Sequence, residues 1–227
     1  MWVKVEGVID LSFYVLKPFS FMISGPKIVF LLGENGSGKT TLLNLMSGDV
    51  SLRTVFVSWG ETPRISYLRQ VSKPIDRSVL DVVPPAYQDL LDELGIPPDA
   101  SLPSLSYGQL RMVDLIRTVS SDWNVLLLDE PFQSIDPKHR GVLKQIVHSE
   151  FSRRIEEGAV AFIVERYDVF ESLREFPHEY LVFSPLRDVR GIEEEASASF
   201  YTLSHERETM VVKAIDKALI SSRGAVE

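Results

Sequence analysis

Short apolar runs bounded by glycine, proline, serine and charged residues recur along the chain at 2–9, 19–23, 28–32, 54–57, 65–68, 125–128, 159–164 and 179–183, and they read as strands. From residue 28 onward they alternate with stretches of helical periodicity, first Leu42, Leu45 and Met46, later Met112, Leu115, Ile116 and Val119. Strand and helix in alternation predict an α/β architecture. The segment 72–104 breaks the rhythm: prolines stand at 74, 84, 85, 97, 98 and 103, and two short helical candidates cover 78–83 and 85–94. It reads as a small helical insertion on the main sheet. Near the end, Val211, Ala214, Ile215, Ala218 and Leu219 mark an amphipathic helix whose apolar face is expected to pack on the core. Neither internal repeats nor low-complexity stretches interrupt this plan.

The turn between the strand at 28–32 and the helix after it carries the first chemistry. Gly33-Glu34-Asn35-Gly36-Ser37-Gly38-Lys39-Thr40 fits the spacing G-x-x-x-x-G-K-[ST], with an apolar strand before it and an apolar helix after it. Glycines there let the backbone turn tightly, so that its N–H groups and the helix N-terminus converge on phosphate oxygens. Lys39 adds a cation for the β- and γ-phosphates, and the Thr40 hydroxyl suits Mg²⁺. A nucleoside triphosphate is the ligand this pattern calls for.

Two more constellations follow. Val125-Leu126-Leu127-Leu128 is an apolar strand that ends in Asp129 and Glu130. A strand buried on both faces delivers its C-terminal side chains to the phosphate site. There Asp129 can hold the Mg²⁺ shell and Glu130 can polarise an attacking water. Earlier, Leu105-Ser106-Tyr107-Gly108-Gln109 opens the helix of Met112 and Leu115, and Ser106 with Gln109 forms the S-x-x-Q capping box. That pattern needs no ligand, yet a helix N-terminus is also an anion site.

Composition narrows the class. The 227 residues suffice for one large core, with or without a small satellite. A formal net charge of -8 and the lack of any Lys/Arg run argue against nucleic acid as a partner. With no cysteine, disulfides and Cys-ligated metals are excluded. No signal peptide is evident, and no stretch approaches the ~18 apolar residues of a membrane span.

Taken together, these residues resemble the nucleotide-binding domain of the ABC ATPase family over about 1–185. Gly33–Thr40 looks like its Walker A, 105–109 like its LSGGQ signature with Tyr107 in place of the first glycine, and 125–130 like its Walker B with the catalytic glutamate. Ile65 to Gln70 resembles the strand ending in the Q-loop glutamine. Ser134-Ile135-Asp136 resembles the D-loop, with Pro137 at the first turn of the next helix. Tyr14, or Phe13 beside it, stands where the family stacks an aromatic ring on adenine.

The resemblance implies a P-loop NTPase fold: a mostly parallel sheet flanked by helices, an N-terminal antiparallel β subdomain and a short helical subdomain. One ATPase domain is expected over 1–227, with 1–71 and 121–227 as catalytic core and about 72–120 as the helical part. ATP and Mg²⁺ are the implied cofactors. Nucleotide contacts would come from Gly33, Glu34, Asn35, Gly36, Ser37, Gly38, Lys39, Thr40, Thr41 and Tyr14, and from Ser106, Gly108 and Gln109 across a dimer. Metal contacts would come from Thr40, Gln70 and Asp129, and catalysis from Glu130, Gln70 and Arg166. Two such domains, as a homodimer or heterodimer, would close on ATP and drive transmembrane permease subunits on separate chains. The expected location is cytoplasmic, at the inner face of the cell membrane.

Two departures matter. The family places a histidine after the strand at 159–164, and Arg166 occupies that slot here, or Tyr167 with a one-residue shift; His139, His148, His178 and His205 all lie elsewhere. Arginine still offers cationic hydrogen bonds to phosphate. The stretch from Gln70 to Ser106 is short for the family, which trims the helical subdomain and argues against long coiled-coil inserts. A single Walker A disfavours relatives with two such domains in one chain. An ATPase subunit of an ABC transporter is the reading that follows. A degenerate, non-hydrolysing switch paired with a catalytic homologue and an ABC-type ATPase without membrane partner are the alternatives.

Overall fold

A computed structural model describes residues 1–11, 14–33, 35–164, 173–183 and 198–201. Nine strands and five α-helices make up the described fold. Strands β1 (Trp2–Leu11) and β2 (Tyr14–Ser24) pair antiparallel, and β4 (Val55–Trp59) joins the other edge of β1, giving the order β2-β1-β4. Val3, Val5, Phe21 and Ile23 point inward, while Met22 and Phe56 on the opposite face are exposed, the period-2 alternation of a sheet with one covered face.

The second sheet carries the site. β3 (Lys27–Leu32), β5 (Ile65–Leu68), β6 (Val125–Asp129), β7 (Val160–Val164) and β8 (His178–Phe183) run parallel, and β9 (Ala198–Tyr201) adds antiparallel to β8, in the order β5-β6-β7-β3-β8-β9. The central strands are continuous apolar runs because both faces are covered. Ile28, Phe30, Leu126, Leu128, Ala161 and Ile163 face one core, with α4 (Tyr107–Ser120) and α5 (Pro137–Glu156). Their neighbours Val29, Leu31, Leu127 and Phe162 face the other, with α1 (Lys39–Ser47) and the N-terminal sheet.

The α/β fold and the antiparallel N-terminal sheet agree with the sequence expectation. The insertion is less helical than its pattern predicts. α2 (Val79–Val82) forms, held by a capping box between Ser78 and Asp81. The expected helix over 85–94 contracts to α3 (Pro85–Gln88). Beyond it the N–H groups of Leu90 and Leu91 reach back only three residues, to Tyr87 and Gln88. Leu91, Leu94 and Ile96 are all buried there, and Gly95 ends the run with φ 64°. Burying three side chains in six residues of tight turns takes precedence over regular helix. β9 had no counterpart in the sequence reading, β2 starts at Tyr14 rather than 19, and the helix expected near 211–219 lies outside the described residues.

Candidate functional site

The C-terminal ends of parallel strands are where an open α/β sheet binds ligands, and three of the motif segments emerge there, after β3, β5 and β6. β3 passes into the glycine-rich loop at Gly33. A Cβ on Gly33 would sit 2.8 Å from Ser37 Oγ and 2.9 Å from the Phe183 carbonyl oxygen, so only glycine fits beneath the loop. Gly38, with φ 98°, is the N-cap of α1, and no side chain caps that helix or places an acid in its first turn. The other long helices are closed: Ser106 caps α4 and Asp136 caps α5. The open N–H groups of α1 therefore suit an anion. Lys39 lies over the loop and donates from Nζ to the Gly33 carbonyl at 2.7 Å. Ser37 is buried, Asn35 and Gly36 lie exposed in the turn, Thr40 and Thr41 follow Lys39 into α1, and Glu34 lies outside the described residues.

Asp129, at the tip of β6, is 1% exposed. Burial pushes its carboxyl above the usual range, the Thr40 hydroxyl pulls it down, Glu130 raises it, and Lys39 and Arg111 lower it. Thr40 and Lys39 thus face Asp129 across the sheet. Neither carboxylate oxygen accepts a hydrogen bond of normal geometry. A buried carboxylate facing a threonine hydroxyl forms an oxygen ligand set that a hard divalent cation can complete, with water and phosphate oxygens as its other ligands. Among the described residues there is no cluster of three or more His, Cys, Asp and Glu, so an all-protein metal cage is not what this site offers.

Glu130 follows with φ 49°, a left-handed conformation that costs a non-glycine residue about 1–3 kcal/mol. Its N–H donates to the Val164 carbonyl at 2.8 Å. Leu68 pairs with Leu128, so Arg69 and Gln70 leave the sheet beside Asp129 and Glu130. A bidentate ion pair between Arg69 and Asp49, with the Tyr67 hydroxyl donating to Asn44 Oδ1 at 2.9 Å, ties this strand to α1. Gln70, Glu130, Asp129, Thr40 and the loop are brought to the C-terminal end of the sheet.

Ser106 and Gln109 form the expected capping box at α4: each backbone N–H donates to the other's side chain, at 3.0 and 3.3 Å. Gln109 Nε2 also donates to the Gly95 carbonyl at 2.6 Å, which ties the start of α4 to the helical insertion. A Cβ on Gly108 would lie 3.0 Å from the Ser134 carbonyl, which brings the signature turn against the D-loop segment. Asp136 Oδ1 accepts from the Lys138 N–H at 3.0 Å and Pro137 takes the first helical position, as the sequence predicts. Tyr14 opens β2 opposite Leu11. Arg166 and its neighbour Tyr167 lie outside the described residues.

The sequence pattern overlooked Arg111. It is fully buried in α4, and its guanidinium donates to the carbonyls of Arg69, Asp129 (2.6 Å) and Glu130 (2.8 Å). A charged residue inside the run Leu110 to Leu115 was the available signal.

The sequence matches the ABC transporter family over residues 16–133, just over half of the chain and inclusive of the loop, the signature turn and the Asp129–Glu130 strand. Against the aliphatic sulfonates import ATP-binding protein SsuB of Delftia acidovorans it is 35% identical over 174 residues, 70% of this chain and 69% of that one. The chain belongs to the ABC transporter family, as its ATP-binding domain. The thiamine import ATP-binding protein ThiQ of Haemophilus ducreyi is 32% identical over 165 residues, 59% of this chain and 76% of that protein. In fold, the ABC domain superposes on a solved ATP binding subunit of an ABC transporter with TM-score 0.69 at 14% identity, covering 97% of this chain and all of that one. It also matches an RNase-L inhibitor structure with TM-score 0.72 at 20% identity, spanning 95% of itself but 42% of that longer chain. No helix among the described residues is long and apolar enough to cross a membrane.

Proposed function

We propose that this chain hydrolyses ATP and powers a transporter whose membrane-spanning permease subunits are separate polypeptides. The observation that carries this reading is the pairing of an uncapped α1 N-terminus, with Lys39 beside it, and a buried Asp129 whose carboxylate faces the Thr40 hydroxyl. The α1 N–H groups and Lys39 hold the β- and γ-phosphates. Thr40, Asp129 and Gln70 are the residues that would hold magnesium, which when bound supplies positive charge to the phosphate oxygens. Glu130 accepts a proton from the attacking water, and Gln70 helps orient that water. Arg166, in the sequence slot of the family's histidine, would offer cationic hydrogen bonds to the γ-phosphate. Ser106 and Gly108 complete the site of a second copy, or of a homologous subunit, so that ATP closes a dimer and hydrolysis reopens it.

Coupling to a permease is supported by Val71, Ile75 and Leu80, exposed apolar residues in the stretch that follows Gln70. The import names of the sulfonate and thiamine relatives point the same way. In this reading residues 1–227 work as one ATPase unit, 72–120 forms its helical part, and the protein sits in the cytoplasm against the inner face of the membrane.

Steady-state ATP hydrolysis by the purified chain, with Glu130→Gln beside it and sizing with and without Mg-ATP, tests the proposal. The expected result is turnover that falls by about 100-fold or more in Glu130→Gln while ATP binding persists. Equal turnover in the two proteins would remove Glu130 from the role of base. The arginine in the histidine slot favours a second reading, a non-hydrolysing switch, and Arg166→His separates the two. A rise in turnover of about tenfold marks a degenerate site, and a fall marks an adapted one.

A further inference from the structure

Arg111 and Tyr107 lie four residues apart on α4, and therefore on one face. The Tyr107 hydroxyl donates to the Gln70 carbonyl at 3.2 Å. Arg111 takes the adjoining Arg69 carbonyl and, on the next strand, those of Asp129 and Glu130. One helix thus grips two consecutive carbonyls at the end of β5 and two at the end of β6. Glu130 is held in its left-handed conformation from both sides, its N–H by the Val164 carbonyl and its own carbonyl by Arg111. A strained residue persists only where its surroundings over-determine it.

We propose that Arg111 is a positioning residue for ATP hydrolysis. It fixes the backbone from which Glu130 and Gln70 project and, with Tyr107, makes the signature helix and the two strand ends move as one unit. The inference rests on the reading of Glu130 as the base. Arginine suits the task because its planar fork offers five donors at fixed angles, whereas a lysine ammonium is a single point that cannot span carbonyls on two strands in the same way. Buried in α4, the group is too deep to touch a nucleotide phosphate held at α1, so it acts through the residues it holds.

The experiment compares the full chain with Arg111→Gln and Arg111→Lys, with Glu130→Gln alongside. Three quantities are read: steady-state kcat and KM for ATP, equilibrium ATP binding, and amide exchange at 69–72 and 129–132. Expected are folded variants that bind ATP within about threefold of the parent but lose kcat by about 100-fold in Gln and about tenfold in Lys, the size of effect that small misplacement of a reacting group produces. Exchange should quicken in those two segments and not elsewhere. A folded Arg111→Gln with parental kcat overturns the proposal, as does a kcat loss matched by an equal loss of ATP affinity. Should Arg111→Gln fail to fold, parental kcat in Arg111→Lys overturns it. If the parent itself shows no turnover that Glu130→Gln abolishes, the hydrolysis reading fails. Exchange then judges the clamp alone, and unchanged exchange at both segments refutes it.

Discussion

Helices α1 and α4 begin in opposite ways. α1 starts at Gly38 with no side chain to accept its first N–H groups, while α4 starts at Ser106 inside a reciprocal capping box. A glycine N-cap gives up only a few tenths of a kcal/mol relative to a capping side chain, so the open end is a small standing loss of stability unless a ligand closes it. α1 carries that loss beside a lysine and a buried carboxylate. α4 satisfies the Ser106 and Gln109 N–H groups internally, which leaves those of Tyr107 and Gly108 and the proton of the Ser106 hydroxyl. One end is open, the other half closed. The difference is the one that the proposed site, shared between two copies, calls for.

The largest effect should follow from breaking the α1 side. Lys39→Ala removes the cation over the loop together with its bond to the Gly33 carbonyl. With charge-assisted bonds to phosphate each contributing about 1.5–3 kcal/mol, ATP affinity is expected to fall by about 100-fold. Isothermal titration with Mg-ATP checks it, and an affinity within a few-fold of the parent would mean the uncapped α1 N-terminus does not hold the triphosphate.

Ser106→Ala acts on the α4 side and tells a cap from a half-site. As a cap alone, Ser106 is worth about 1 kcal/mol, so melting without nucleotide should fall by about 2–4 °C for a chain of this size. As part of a partner's site it also loses a bond made only in the closed dimer, and turnover should drop by about tenfold or more with ATP binding to the isolated chain unchanged. A melting shift with unaltered turnover would leave Ser106 as a helix cap and nothing else.

What could be read in advance divides along the same physical line. The loop after β3, the α4 capping box, the Asp136–Pro137 start of α5 and the acidic tip of β6 are local patterns, each written in a few consecutive residues, and each stands where the sequence predicts. Arg111 was missed because helical periodicity assigns inside and outside by spacing, and α4 has no outside over most of its length: every residue from Leu110 to Ile116 is buried. Its role arises from carbonyls 18 and 42 residues away in sequence, which no local pattern contains. β9 escaped for a related reason, since a short strand added antiparallel to β8 is defined by the edge it joins. In the insertion, apolar residues at 91, 94 and 96 mimic a helix while the backbone runs through irregular turns that reach back three, four or five residues.

The smallest effect, and the most discriminating about the cost of an open site, is expected from Asp129→Asn. Burial is the largest influence on this carboxyl and holds its pKa above the ordinary 3.8. The folded chain therefore binds this proton more tightly than the unfolded chain does. Stability from this group is fully present below pH 3.8, is lost as pH rises through the raised folded value, and stays lost at neutral pH. Asparagine cannot ionise, so without metal and nucleotide the variant should melt higher than the parent at pH 7, by about 2–4 °C if relief of the buried charge is worth about 1 kcal/mol. The gap should close as both proteins are melted at falling pH, because the parent carboxyl becomes neutral. Magnesium and ATP should reverse the order at pH 7, since only the carboxylate gains from a cation. A variant less stable than the parent at pH 7 in the absence of ligand would mean that Lys39, Arg111 and Thr40 already compensate the charge, and that this side of the site is closed, like the N-terminus of α4.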